Sequence, residues 1–406
     1  MLVVLDHRAL PAPPLSETSL RPLAAPAAPS LRLAGPGRAQ PRRVVVIGNF
    51  DGIHRGHQEL FAQARQMAAG VAAADVVPSA QCATLPAAGP AQGQVVALSF
   101  WPHPTRVLAP AAAPALITPR QRKRELIAAC GVDILIEQPF DLRFAGFSPQ
   151  QFVDELLIGS LRADAVCVGY DFNFGKARAG NAELLRALLG AAGVDVLVMP
   201  AFSVTLTAAA HASAAQTTSL SCSSSAVRRA VQGGRVDEAA QVLGREVEVE
   251  GIVVPGAARG RTLGIPTANL RTEADLQPAV GIYAAWAEIL GPPTPDSAAG
   301  DHIDAAAVPM EVQTRPVLAT YPAAVSVGYN ATFTAREGAA WPPPVSIEAH
   351  LIQPSGDAWL DLYGQVVRLR LAARLRDEQK FSSVDALVTQ IQRDIADTRA
   401  ILGVPA

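Results

Sequence analysis

The sequence predicts two folds in series. The first is an α/β unit built on a parallel, Rossmann-like sheet. The second is an antiparallel sheet or small β-barrel that ends in a helix. Three observations point there. From Val44 to Leu243, short apolar runs alternate with helical segments, the pattern of a sheet covered on both faces. After Gly244 the apolar runs become strand-like and are separated by Gly, Pro and Asn. The chain has 406 residues, more than one hydrophobic core usually serves.

Residues 1–40, rich in Pro and Ala over 11–40, predict a disordered extension. Strands are predicted at Val44–Ile47, Val95–Phe100, Ile134–Glu137, Ala165–Gly169 and Val194–Met199. Helices are predicted between them at Gly56–Ala69, Pro119–Cys130, Pro149–Ser160 and Asn181–Ala192. Two more, Ser225–Gln232 and Asp237–Leu243, close the first half. Strands at Val247–Val254, Gly281–Ala287, Ala324–Val327, Val345–Ile352 and Val366–Leu375 build the second. Leu387, Ile391, Ile395 and Ile401 recur near helical spacing, so Val384–Leu402 reads as an amphipathic terminal helix. Residues 72–94, 205–220 and 291–323 are rich in small and turn residues and read as surface insertions.

Composition removes several classes of function. Net charge is -2, which argues against general nucleic-acid or membrane-surface binding. Small anions stay possible, because helix ends and loops bind them without net basicity. No apolar run is long enough to span a bilayer, and the first residues do not read as a signal peptide. The four cysteines form no C-x-x-C pair, which favours reduced thiols and a cytoplasmic protein. No oligomeric state can be read from the sequence.

The densest chemical signal is Gly48-Asn49-Phe50-Asp51-Gly52-Ile53-His54-Arg55-Gly56-His57, directly after the first strand. Gly52 and Gly56 allow close backbone approach to a ligand. The helix after them aims its amides and positive dipole end at the same place. His54 and His57, three apart, can face one site and donate hydrogen bonds to phosphoryl oxygens. A pair of surface or metal-ligating histidines is the bland alternative. Further on, Ser223-Ser224-Ser225 begins a helix, a favoured capping position, and Arg228 lies in its first turn. Arg228 could grip a triphosphate, or the stretch could be an ordinary serine cap with a solvated arginine.

These segments resemble the nucleotidylyltransferase superfamily and, in their fuller form, the bacterial bifunctional riboflavin kinase/FAD synthetase family. Ser99-Phe100-Trp101-Pro102-His103-Pro104 is similar to that family's F-x-P-H-P strand end. Ile117-Thr118-Pro119 and Lys123-Arg124-Glu125-Leu126 match its next helix, and Gly169-Tyr170-Asp171-Phe172-Asn173-Phe174-Gly175 its G-x-D-F-x-F-G loop. Ser223–Arg228 resembles the superfamily's S-S-T-x-I-R. The resemblance implies an ATP and flavin site made by Gly48, Asn49, Phe50, Asp51, Gly56, Asp171, Asn173, Ser224, Ser225 and Arg228. His54 and His57 would be its catalytic pair, and the Asp171–Phe174 loop would hold flavin or nucleotide.

The second signal runs from Gly251 to Leu270 and contains Arg259-Gly260-Arg261 and Pro266-Thr267-Ala268-Asn269. Its glycines and arginines suit a phosphate cradle, and Thr267 and Asn269 are hard oxygen donors suited to Mg²⁺. A Gly-rich hairpin connection is the alternative. The stretch resembles the flavokinase domain, whose hallmark is P-T-A-N. Gly281-Ile282-Tyr283, Ser326–Phe333, Ile347-Glu348-Ala349-His350 and Arg376–Phe381 match its other motifs. Ala331 stands where that family usually has Pro, and Ser225 stands where the S-S-T-x-I-R signature has Thr. The resemblance implies Glu348 as catalytic base, Mg²⁺ at Thr267 and Asn269, and Gly256, Arg261, Gly264, Arg376 and Phe381 as ATP or flavin contacts.

The implied protein has an adenylyltransferase over 41–244 and an antiparallel β-barrel flavokinase over 245–406. Riboflavin and ATP would give FMN at the second site, and FMN and ATP would give FAD and pyrophosphate at the first. An enzyme with one active half, or a flavin-binding protein without turnover, are the rivals.

Overall fold

The computed structural model describes residues 1–6, 41–76, 93–206, 218–256, 260, 263–272, 274–291, 310–312, 314–329, 345–353 and 360–405. The first unit contains β1 (Leu2–Val4), β2 (Arg42–Ile47), β3 (Gly93–Trp101), β4 (Ile134–Pro139), β5 (Ala165–Gly169), a ribbon of β6 (Asn173–Phe174) and β7 (Gly180–Asn181), and β8 (Asp195–Met199). Its helices are α1 (Arg55–Ala68), α2 (Pro104–Leu108), α3 (Arg120–Ala129), α4 (Leu142–Ala145), α5 (Pro149–Gln151) and α6 (Ala182–Ala191). The helix expected at 149–160 continues from α5 as a wider π-type helix, Phe152–Ser160.

Strands β1, β4, β3, β2, β5 and β8 lie side by side and pair in parallel. The sequence explains the burial of both faces. In β2, Val44 and Val46 pack with Phe61 and Met67 of α1, while Val45 and Ile47 pack with Leu156, Leu185 and Leu189 opposite. Each such side chain, fully buried, contributes about 1.5–3 kcal/mol. From β2 the chain crosses to β3 on one side and later to β5 on the other. The carboxyl end of β2 is therefore a switch point, where ligands of parallel sheets bind.

Two expectations need correction here. Residues 1–40 are not an extension throughout, because Leu2–Val4 pairs with β4 through Leu2↔Ile134, Val3↔Leu135 and Val4↔Ile136. Val3 and Val4 are fully buried, so their apolar content outweighed the neighbouring Pro-rich composition. Residues 291–323 are not all a surface insertion either. Within them β14 (Met310–Glu311) adds an antiparallel edge to β1, and Val317 begins a long barrel strand. Residues 7–40, 77–92, 207–217 and 292–309 lie outside the described residues. The segment 207–217 is flanked by β9 (Ser203–Leu206) and β10 (Thr218–Ser221), which pair as a ribbon.

The second unit is a closed barrel. Its strands, in order around the barrel, are β11 (Val247–Val254), β12 (Ala268–Arg271), β16 (Val345–Leu351), β15 (Val317–Tyr329), β13 (Gly281–Leu290) and β17 (Val366–Arg376). All pairs are antiparallel. The strand β12, which begins within P-T-A-N at Ala268 and runs on to Arg271, was not anticipated, because the Pro-Thr-Ala-Asn run reads as a turn. The C-terminal helix Val384–Leu402 falls where its periodicity places it.

Helices α7 (Ser224–Gln232) and α8 (Val236–Leu243) join the units. Val227, Val231, Val236 and Leu243 share one apolar cluster with Val249, Leu270, Tyr283 and Leu369 of the barrel. Charge adds to that contact. Arg122 of α3 forks onto Glu248 of β11 at 2.7 and 2.8 Å, and buried Arg368 of β17 reaches Glu250, Glu288 and Glu125.

Candidate active sites

The first site grows out of β2. After Ile47 the backbone makes a tight turn with Phe50 at φ 51°, Gly52 at 87° and Ile53 at 42°. Buried packing of Phe50 and Ile53 holds this uncommon geometry. The Phe50 ring folds back over Gly48, where any Cβ would sit 2.8 Å from it. His54 then caps α1, its Nδ1 accepting from the His57 amide at 3.4 Å. The two imidazoles stack with centroids 3.7 Å apart and planes 19° apart, and Phe50 meets His57 edge-on.

Burial decides the charge of this pair. It lowers the pKa of His54 to about 4, helped by the Arg245 cation. It pushes His57 well below the usual histidine range, helped by the neighbouring His54 ring, since two protonated rings would repel, and by the Lys123 cation. Both rings are therefore neutral near pH 7. With His54 Nδ1 accepting, its proton sits on Nε2, where it can donate outward. The His57 Nδ1 is shielded from solvent and makes no hydrogen bond with the described residues.

The serine motif closes on the same turn. Ser223 caps α7 by accepting from Ala226 N at 3.1 Å, and Ser224 Oγ donates to Asp51 O at 2.8 Å. Arg228 pairs with the Asp51 carboxylate at 2.5 Å and donates to Ala115 O at 2.7 Å. Asp51 also accepts from the amides of Ile117 and Thr118. Asp51 thus binds the turn to α7 and to the start of α3. Arg228 is engaged there rather than extended as a solvated side chain. Ser225 and Asn49 are exposed at this rim. Asp171 and Asn173 are exposed after β5, the strand beside β2, with Asn173 Nδ2 donating to Asp171 O at 2.6 Å. The topology brings both loops to the carboxyl edge of the sheet.

Sequence reasoning missed two residues that belong to this environment. Arg245, at the start of the second unit, donates to Gly52 O at 2.8 Å and Ile53 O at 3.3 Å and so braces the histidine turn. Lys123, 6 % exposed, points its ammonium at Ser99 Oγ, 3.1 Å away. In the sequence it sits among Arg120, Arg122, Arg124 and Glu125, which looks like a solvated helix face. The pairing of Arg120 and Arg124 with buried Glu137, and of Arg122 with Glu248, shows otherwise.

The second site lies where β12 pairs with β16. The register sets Asn269 opposite Glu348, and Ser326 of β15 stands on the other side of Glu348. Thr267 Oγ1 donates to Glu348 Oε2 at 3.3 Å. His350, buried, donates from Nδ1 to Pro266 O at 2.8 Å and pins the start of P-T-A-N. Gly256 passes so close to Asn269 that a Cβ would lie 2.3 Å from its amide. Gly264 takes a left-handed φ of 74°. Thr267, Asn269 and Glu348 thus form an oxygen-rich group that suits Mg²⁺, a cation of few protein ligands.

Arg376 stands apart from this group. It forks onto Asp394 of the terminal helix at 2.9 and 2.7 Å, with its guanidinium 5.9 Å from the Phe381 ring centre. Arg261 and the Asn330–Phe333 segment, including Ala331, lie outside the described residues.

A phosphate-suited turn on a parallel sheet and a carboxylate beside a hard-oxygen pair on a barrel define a nucleotide-dependent transferase with two active units. The profile of the FAD synthetase family matches residues 37–79 and 83–210, and that of the riboflavin kinase family matches 243–402. The chain is 30% identical over 361 residues to the bifunctional riboflavin kinase/FMN adenylyltransferase of Listeria monocytogenes, covering 88% of this chain and 92% of that one. It is 31% identical over 363 residues to the Escherichia coli (strain K12) enzyme of the same name, covering 89% and 93%. This chain belongs to the bifunctional riboflavin kinase/FMN adenylyltransferase family, the FAD synthetase match falling on the sheet unit and the riboflavin kinase match on the barrel.

A solved Streptococcus pneumoniae structure titled a macrolide-efflux protein also superposes, with TM-score 0.64, 26% identity and 98% of each chain covered. That title belongs to the other protein, and the likeness is one of fold. Among the described residues of this chain, no helix is long and apolar enough to cross a membrane.

Proposed function

We propose that the two reactions run at two separate sites, with the unit boundary near residue 244. Riboflavin is phosphorylated in the barrel. Glu348 accepts the proton of the riboflavin 5′-hydroxyl as its oxygen attacks the γ-phosphorus of ATP and ADP leaves. Thr267 and Asn269 would hold Mg²⁺, which supplies charge to the ATP phosphates. Gly256, Arg261 and Gly264 line the phosphates, while Arg376 orders the Phe381 segment that contacts flavin. The observation that carries this is the Thr267 to Glu348 contact with Asn269 directly across the strand pair.

FMN is adenylated on the sheet. Its phosphate oxygen bonds to the α-phosphorus of ATP as the bond to pyrophosphate breaks. This nucleophile is already ionised, so no protein base is needed. His54 and His57 donate hydrogen bonds to the phosphoryl oxygens as neutral imidazoles. Gly48, Asn49, Phe50, Asp51 and Gly56 shape the turn, with Ser224, Ser225 and Arg228 beside it. Asp171 and Asn173 contact flavin or nucleotide. The protein works in the cytoplasm on small molecules.

Product chromatography with riboflavin and Mg-ATP tests the division of labour. His57→Ala should accumulate FMN, with FAD formation reduced about 10²–10³-fold. Glu348→Ala should lose about 10²–10⁴-fold in FMN formation yet still convert added FMN to FAD. Equal loss of both steps in either variant, with the fold intact, overturns the assignment.

A further inference from the structure

Lys123 is a buried cation that forms no salt bridge with a carboxylate of the described residues. Among those residues its ammonium hydrogen-bonds only to Ser99 Oγ, which in turn donates to Asn49 O at 3.3 Å. An ammonium has three donors, so this neutral contact leaves most of its capacity unused. Glu137 pairs with Arg120 and Arg124 through Oε2, its Oε1 is buried without a hydrogen bond, and Asp51 pairs with Arg228. Neither carboxylate forms a salt bridge with Lys123, although both act on its charge. A buried charge without an ion pair is costly to keep. Burial accordingly pulls the Lys123 pKa down, while Glu137 and Asp51 pull it up.

The ammonium faces a specific place. Lys123 lines a small cavity together with Asn49, Asp51, Trp101, His103 and Arg120. This cavity opens at the carboxyl edge of the sheet, next to the histidine turn. The two histidines are neutral, so they offer that edge hydrogen bonds but no net charge. Arg228 is committed to Asp51. Lys123 is thus a buried positive charge at this edge with no salt bridge among the described residues.

We propose that Lys123 is a phosphate-contacting residue of the adenylyl-transfer site, its ammonium meeting a phosphoryl group that enters the cavity between Asn49, Trp101 and His103. The anion completes the ion pair that the folded chain lacks. Two sources present the same chemistry, the monoester of FMN and the triphosphate of ATP. The inference rests on adenylyl transfer occurring at the His54/His57 turn.

The test compares wild type, Lys123→Met and His57→Ala in the full chain. Lys123→Met keeps the side-chain length and removes the charge. It should lower kcat/KM for FMN adenylation about a hundredfold. Riboflavin phosphorylation should stay at the wild-type rate, and the melting temperature should hold or rise. Pyrophosphate is the probe for the triphosphate. Loss of its thermal stabilisation in Lys123→Met identifies the ATP source, whereas an increased KM for FMN with pyrophosphate stabilisation retained identifies the monoester. Unchanged FMN adenylation with both binding readouts at wild-type values overturns the proposal. So does a lower melting temperature with equal loss of both activities, which marks Lys123 as structural. If Lys123→Met folds poorly, Lys123→Arg decides: restored charge should recover pyrophosphate or FMN binding, and no recovery overturns the proposal. Wild-type FAD formation by His57→Ala would instead sink the placement of the reaction itself.

Discussion

The two active regions are built by opposite means. The adenylyl-transfer turn is buried and held by ionic ties. Asp51 alone receives Arg228 and the amides of Ile117 and Thr118, and Arg245 reaches in from the kinase unit to hold Gly52 and Ile53. The kinase site is half-buried and held by strand register, with a 3.3 Å bond between Thr267 and Glu348. Under the proposed assignment, the difference follows the nucleophiles. A phosphate monoester arrives ionised, so its site needs shape and donors, and neutral buried histidines serve. A primary hydroxyl must lose a proton, so its site needs an ionisable carboxylate that water can still reach.

The sharpest way to break this comparison is Asp51→Ala. If buried ionic ties hold the first site, removing one partner of the Asp51–Arg228 pair should destabilise the chain by about 3–5 kcal/mol, since Arg228 is left uncompensated. Urea unfolding would measure it. Adenylation should fall with it, while riboflavin phosphorylation survives at temperatures where the variant remains folded. A loss below about 1 kcal/mol would mean the tie is worth no more than an exposed ion pair.

Much of the fold was legible in the chain. The apolar run Val44–Ile47, with His54 and His57 close behind it, placed a strand, a turn and a helix start where the structure has them. The P-T-A-N and Glu348 segments were recognisable separately, but their meeting was implied only by the family resemblance and not by the residues themselves. It depends on the Asn269↔Glu348 register, which joins strands far apart in the sequence. The two missed residues failed for a similar reason. Lys123 and Arg245 look like solvated charges because the carboxylates and carbonyls that surround them come from distant segments. Leu2–Val4 was hidden by the Pro- and Ala-rich composition of residues 11–40.

A second, smaller effect should separate the sites by pH. The folded pKa of His54 is about 4, below the ordinary 6.5, so between those values the unfolded chain binds more protons. Stability is then lost as pH falls through that window, by about 1.4 kcal/mol per pH unit, or roughly 2 kcal/mol from pH 6.5 to 5. Asn at position 54 keeps a capping oxygen without the titration. Denaturation of His54→Asn should therefore show a flatter pH dependence than wild type by about that amount. Parallel curves would show that burial does not keep His54 neutral.

The smallest stability effect should come from the kinase site. Thr267→Val removes one half-buried hydroxyl and its long bond to Glu348. The net cost of such a bond is about 0.5–1.5 kcal/mol, and its 3.3 Å length favours the lower end. The functional effect should be far larger than that. Riboflavin phosphorylation should drop and need more Mg²⁺ for half-maximal rate, because Val offers no oxygen. Thr267→Ser should restore both, and FMN adenylation should not change in either variant. A Thr267→Val enzyme with wild-type Mg²⁺ dependence would show that register alone, without this oxygen, builds the kinase site.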